Sequence, residues 1–297
     1  MLSDDDLEEL VAETSANATA TVQARNTLVY AVLHVYQQFS EQRSLTPTAE
    51  VNALFSELVG LCGKHLPDTI VHGILAHPGI CCIIPHLRNM CAEGEYQLEM
   101  SWSRRILRQG EAFESRPQLR DFPYFSNYVD LTRMELNAIS SVLPRAQPAP
   151  NKFVLLGSGP LPMTSICLAR ETPIQSYNQP HCVHNIDCSM DALICSTQLV
   201  ADPKLRNDPD FAAFDVVYLA ALVGLDVNTK RKVLERLHRA IRPGALLVAR
   251  SAHSLRTLLY SPIDVGSSEC HLKGFKPLLV MHPHNHIINS VLIASCI

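Results

Sequence analysis

The chain has 297 residues, of which 47% are apolar and 18% charged, and its formal charge of −4 lies close to balance. That length and apolar share allow a large buried core, in two modest domains or one large one. Near-neutral charge argues against a nucleic-acid binder, and no apolar run is long enough to span a bilayer. The opening Met-Leu-Ser-Asp-Asp-Asp has the wrong charge for a signal peptide, so a soluble, cytoplasmic protein is expected. The ten cysteines are scattered, include the adjacent Cys81 and Cys82, and form no C-x-x-C, which favours buried reduced thiols over a disulfide framework.

From Leu7 to Gln42 apolar residues recur at helical spacing, with Leu28, Val32, Val35 and Phe39 on one stripe. Pro47 opens a second helical stretch whose apolar face carries Val51, Leu54, Phe55, Leu58 and Leu61. Gly63 to Pro85, rich in His, Pro and Gly, reads as a loop with short helices. A third helix is expected from Leu87 to Arg108 and a fourth from Tyr128 to Val142. Pro144, Pro148 and Pro150 then punctuate the chain, placing a boundary between a helical domain, 1–148, and a second domain, 149–297.

Beyond the prolines the pattern becomes strand alternating with helix, which implies a parallel sheet with crossovers. Phe153 to Leu156 form an apolar run suited to a strand buried on both faces, Gly157 and Gly159 allow a sharp turn with close backbone approach to a ligand, and Thr164 to Arg170 read as the following helix. Pro162 stands where a dinucleotide fingerprint needs its third glycine, and no Gly-Lys-Ser/Thr follows. What remains is a strand-end turn for a nucleoside without phosphates, of which S-adenosylmethionine is the common one, or a glycine turn of an ordinary α/β protein. A second strand ends at Asp187, an acidic position that in such folds takes the ribose hydroxyls. Phe214 to Leu222 form the next strand, and its end, Ala220, Ala221 and Leu222, borders the same site. An amphipathic helix from Thr229 to Ile241 precedes a strand from Ala245 to Arg250. Leu278 to Met281 and Ile287 to Ala294 read as an antiparallel hairpin at the sheet edge. The fold class is therefore α/β: an N-terminal helical bundle followed by a methyltransferase-like Rossmann domain.

On the third helix a 3.6-residue period places Cys91, Glu95, Leu98, Glu99, Trp102 and Ile106 on one stripe. Two carboxylates on an apolar face need either a buried ion pair, with Arg133 or another base, or a function. In the turn Phe122 to Tyr128, the phenylalanines suit a core, whereas Tyr124, Asn127 and Tyr128 carry polar tips fit for an amino-acid substrate. His282, His284 and His286 have no fourth ligand nearby and read as solvated loop histidines, so no metal site is expected. Ser158 is not a nucleophile elbow, because Pro160 and Leu161 follow Gly159.

The segment GSGPLP (Gly157 to Pro162), followed by Thr164-Ser165, resembles the signature of nicotianamine synthases. Further segments agree in the same order: PTAEVNALFSELV (Pro47 to Val59), CAEGEYQLE (Cys91 to Glu99), FPYFSNY (Phe122 to Tyr128), FDVVYLAALVG (Phe214 to Gly224), PGALLVARSAH (Pro243 to His253) and INSVLIA (Ile288 to Ala294). The resemblance implies condensation of three S-adenosylmethionine molecules, as substrate, by 3-amino-3-carboxypropyl transfer, with release of methylthioadenosine and closure of one azetidine ring. A metal-chelating product would serve metal homeostasis. The resemblance implies that Glu95, Glu99 and Tyr124 are catalytic, and that the nucleoside lies against Gly157, Ser158, Gly159, Pro160, Leu161, Pro162, Asp187, Ala220, Ala221 and Leu222. In one place the chain departs from the family: between Ser189 and Ala213 there is no room for the further strand and acidic turn that flank the adenine. Two rivals remain, a methyltransferase and a relative whose catalysis is impaired by that shortening.

Overall fold

The computed structural model describes residues 4–108, 118–144, 149–170, 182–200, 210–266 and 272–297. Four helices open the chain: α1 (Asp4–Glu41), α2 (Ala49–Cys62), α3 (Asp68–Leu75) and α4 (Pro78–Leu107). The expected stripe of α1 is its packing face, since Leu28, Val32, Val35 and Phe39 are all buried. Thr48, not Pro47, starts α2, its side chain accepting the Val51 N–H at 3.2 Å. The third helix begins at Pro78 and not at Leu87. His77 caps it by accepting the Gly79 N–H, and Pro78 occupies the first turn, where a missing donor costs nothing. Pro85 lies within the helix at a cost of about 3 kcal/mol. Burial of Ile80, Ile83 and Leu87 nearby outweighs it, at about 1.5–3 kcal/mol for each side chain. The helix α5 (Phe125–Val142) starts three residues before Tyr128. The proline run has its centre at 145–148, outside the described residues.

The sheet follows as β1 (Lys152–Leu156), β2 (Cys182–Ile186), β3 (Val216–Leu219), β4 (Leu246–Ser251), β5 (Phe275–Met281) and β6 (Ser290–Cys296), with α6 (Met163–Arg170), α7 (Met190–Val200) and α8 (Val227–Ala240) between strands. The strand order is β2-β1-β3-β4-β6-β5, parallel through β4, with β6 antiparallel to both β4 and β5. This is the expected hairpin-edged sheet. β3 is shorter than expected because the chain turns after Ala220, with Gly224 at φ 77°. Among the described residues β2 has no outer neighbour, and residues 201–209 of the shortened Ser189 to Ala213 segment lie outside the described residues.

Leu131, Leu136 and Ile139 of α5 pack with Phe153, Leu155 and Val248 on one sheet face. Leu234 and Leu237 of α8 pack with Val154, Val217 and Leu247 on the other. The core of α1 to α4 is completed from the far half of the chain by Leu255, Leu258 and Leu259, in and beside the 3-10 turn Ser254–Leu258. That turn also holds the loop between β5 and β6, whose His282, His284 and His286 are exposed, as expected of solvated loop histidines. Arg256 donates to the carbonyls of Pro283 (2.7 Å) and Asn285 (3.2 Å), while His65 stacks on His284, His253 stacks on His282, and His286 lies 3.1 Å from Asp130. Four described cysteines are buried as expected (Cys62, Cys91, Cys167, Cys296), but Cys81, Cys82 and Cys188 are exposed, the first two on the outward side of α4. No single helix among the described residues is long and apolar enough to cross a membrane.

Candidate active site

The turn after β1 sits where the sheet order reverses, between strands whose continuations diverge, the usual ligand crevice of open α/β sheets. Gly157 and Gly159 have φ of 77° and 67°, so glycine is required by backbone conformation alone. Space imposes the same demand. A Cβ on Gly157 would collide with Val223, and one on Gly159 with the carboxylate of Glu99. Asp187 holds the turn from below, one carboxylate oxygen accepting the Gly159 N–H and the other the Ser189 N–H, both at 2.9 Å. The Pro160 carbonyl accepts a 2.8 Å bond from buried Ser103 of α4. Leu161 and Pro162 are buried beneath, Leu161 packing with Phe122, Met163 and Cys167. The Ser158 hydroxyl is buried and has no hydrogen-bond partner among the described residues. Ala220 donates to the Leu156 carbonyl, bringing Ala220, Ala221 and Leu222 to the same strand-end level.

Against this turn α4 sets its two acids. Glu99 accepts from the Tyr128 hydroxyl at 3.1 Å and from the Leu161 N–H, tying the helix to the glycine turn. Burial, then the nearby Glu95 charge, push its carboxyl up to about 8. Glu95, one turn earlier, accepts from the Tyr260 hydroxyl, and burial pushes it up to about 7. Both are half-buried. The ion pair with Arg133 is not formed, since Arg133 bonds Asp130 on the surface. Tyr124 is exposed at the rim, edge-on to Phe122, and makes no hydrogen bond to either glutamate; the structure gives that contact to Tyr128. Burial, and next the charge of Glu95, raise the Tyr124 hydroxyl. Asn127 donates to the His286 carbonyl of the hairpin loop at 2.9 Å.

Two groups were not legible in sequence. Tyr260 stood in an unassigned stretch after the fourth sheet strand. Arg250 ended the apolar run of that strand, and a guanidinium at the ligand end of a central strand was the available signal. It forms a buried bidentate pair with Glu135 (2.8 and 3.1 Å) and bonds Thr164 at 2.8 Å.

The fold and site define an α/β protein of the methyltransferase-like Rossmann class, with a helical layer that sets carboxylates over the strand-end turn. Its sequence matches the family model "Nicotianamine synthase protein" over residues 21–296. It is 35% identical over 283 residues to a nicotianamine synthase of Solanum lycopersicum, covering 91% of this chain and 83% of that one. A second relative, nicotianamine synthase 3 of Oryza sativa, is 38% identical over 265 residues, covering 84% and 73%. Among solved structures, a substituted form of MtNAS superposes with a TM-score of 0.71 at 18% identity, covering 92% of this chain and 98% of that chain. MtNAS in complex with MTA and tNA gives 0.69 at 18% identity, covering 93% and 97%. The chain belongs to the nicotianamine synthase family.

Proposed function

We propose that this protein is a nicotianamine synthase that condenses three S-adenosylmethionine molecules by 3-amino-3-carboxypropyl transfer. The observation that carries the reading is the contact of Glu99 with Gly159: the acidic stripe of α4 lies directly over the turn that would hold the nucleoside. A sulfonium leaves as a neutral thioether, the C–S electron pair going to sulfur, so the leaving group needs no acid. The attacking α-amino nitrogen needs a base, because it is mostly protonated near neutrality. Glu95, at about 7, is ionised in part at that pH and suited to take the proton as the new C–N bond forms. Glu99 lies nearer the turn; raised to about 8, it is mostly protonated near neutrality in the ligand-free protein, and a bound sulfonium would favour its ionised form, while Tyr124 closes the rim. The glycine turn, the Ser158 hydroxyl, unpartnered among the described residues, and Asp187 would hold the nucleoside, with Asp187 exchanging backbone donors for ribose hydroxyls. Selectivity for the γ-carbon over the methyl comes from which carbon is aligned behind the nucleophile.

A second reading rests on the outer edge of β2, which has no strand partner among the described residues: with that adenine wall missing, nucleoside binding and turnover would both be weak. Incubation with S-adenosylmethionine and identification of products by mass tests both. Methylthioadenosine with nicotianamine supports the synthase, S-adenosylhomocysteine would mean a methyltransferase, and no product with no calorimetric binding would leave the impaired relative.

A further inference from the structure

Arg250 is only 5% exposed, on the carboxyl end of β4 and on the sheet face covered by α5 and α6. A guanidinium carries five N–H groups. Nε donates to Glu135 Oε1, and Nη2 donates to Glu135 Oε2 and Thr164 Oγ1, which leaves the two donors of Nη1 without an acceptor among the described residues. An otherwise complete ion pair thus keeps one nitrogen able to take a further acceptor. The unfilled nitrogen belongs to the active-site end of the molecule. The guanidinium carbon stands 5.9 Å from the centroid of Tyr128, whose hydroxyl bonds Glu99, and its positive charge partly offsets the burial that raises the Glu95 carboxyl. A second orphan donor lies at the same strand end. Asn289 immediately precedes β6, in which Val291 pairs with Arg250, and its Nδ2 is buried with no partner among the described residues.

We propose that Arg250 Nη1 and the Asn289 amide form a carboxylate subsite that takes the α-carboxylate of the amino-acid chain of S-adenosylmethionine. The proposal rests on the synthase reading above and adds to it the anchor for the far end of the substrate. An amino acid is a zwitterion, and the site has a matching arrangement, with Glu99 for its ammonium and Arg250 for its carboxylate, which leaves Glu95 for the attacking amine. Holding the α-carbon by both groups fixes the direction of the γ-carbon on its three-carbon chain. The S-methyl group has no such anchor, so the subsite supplies the alignment that favours transfer of the propyl chain over the methyl.

Calorimetry with three probes tests this: S-adenosylmethionine, its decarboxylated form, and methylthioadenosine, which lacks the amino-acid chain. The wild-type protein should prefer S-adenosylmethionine to the decarboxylated form by about ten- to hundred-fold. In Arg250→Met/Glu135→Met, which removes the buried pair together so that no lone charge is left, the preference should vanish while methylthioadenosine binding persists. Asn289→Ala, which leaves the ion pair intact, should lose part of the preference; an undiminished preference in that variant overturns the subsite even if the double variant does not fold. Equal wild-type affinity for the first two probes overturns the subsite and leaves the nucleoside reading standing. Loss of methylthioadenosine binding in a folded variant overturns it also, since the effect would then be structural. Failure of the wild type to bind any probe removes the synthase reading and the subsite together.

Discussion

Among the described residues, Glu95 and Glu99 have no basic partner on the apolar stripe of α4, and what they receive instead are phenol hydroxyls from Tyr260 and Tyr128. A neutral donor does not offset the desolvation of a carboxylate, so both stay raised from the ordinary 4.5, to about 7 and about 8. A carboxyl raised on folding contributes stability that is fully present below its unfolded value and lost as pH rises through its folded one. The thermal midpoint of the ligand-free protein should therefore carry a component that falls between about pH 5 and pH 8, and Glu99→Gln should remove much of it. Comparing the two slopes cancels Lys230 and His282, whose lowered values tilt the curve the other way. Parallel melting curves from the two proteins across that range would refute the shift. For catalysis, Glu95→Gln should preserve the fold and S-adenosylmethionine affinity while slowing product formation about 10²- to 10⁴-fold; unchanged turnover would move the base to Glu99. The stripe made both acids legible in the sequence. Tyr260 was not, because helical periodicity marks which residues face inward and says nothing of a partner 165 positions away.

At the scale of elements, the site is one helix laid across one turn. Read alone, Gly159 suggests close approach of a ligand to the backbone, with Gly159→Val the natural test. The structure makes the demand stricter, because even a methyl group would displace Glu99, and φ of 67° disfavours any side chain. Gly159→Ala should thus lower turnover at saturating substrate as well as affinity, with helical content by circular dichroism unchanged. Full turnover in that variant would show that Glu99 moves aside freely and has no fixed role over the turn. The turn is legible because strand, glycines and helix are contiguous in the chain. The start of α4 is misplaced for an equally local reason: Pro85 signals a break, and only the long-range burial of Ile80, Ile83 and Leu87 overrides it.

Taken whole, the molecule is more firmly joined than its two sequence patterns suggest. The alternation of strand and helix foretells the sheet and its edge hairpin, since each strand leaves a run of apolar residues with its own period. The joints between helical layer and sheet leave no such trace. Arg88 of α4 donates twice to the Thr257 carbonyl (3.0 and 2.6 Å) and once to that of Leu225 (3.4 Å). Tyr96 and Ser103 of the same helix reach Ser189 (3.0 Å) and Pro160 (2.8 Å), and Leu255 and Leu258 enter the helical core from beyond β4. The walls of the active site are thus held by the contacts that unite the halves, so stability and site geometry should fail together. Thermal unfolding should be one transition by both circular dichroism and tyrosine fluorescence. Arg88→Met, which strips three charged donors from two carbonyls, should lower stability by about 2–4 kcal/mol without splitting it. Two separated transitions in the wild-type protein would show instead that the helical layer melts on its own and that its hold on the sheet contributes little.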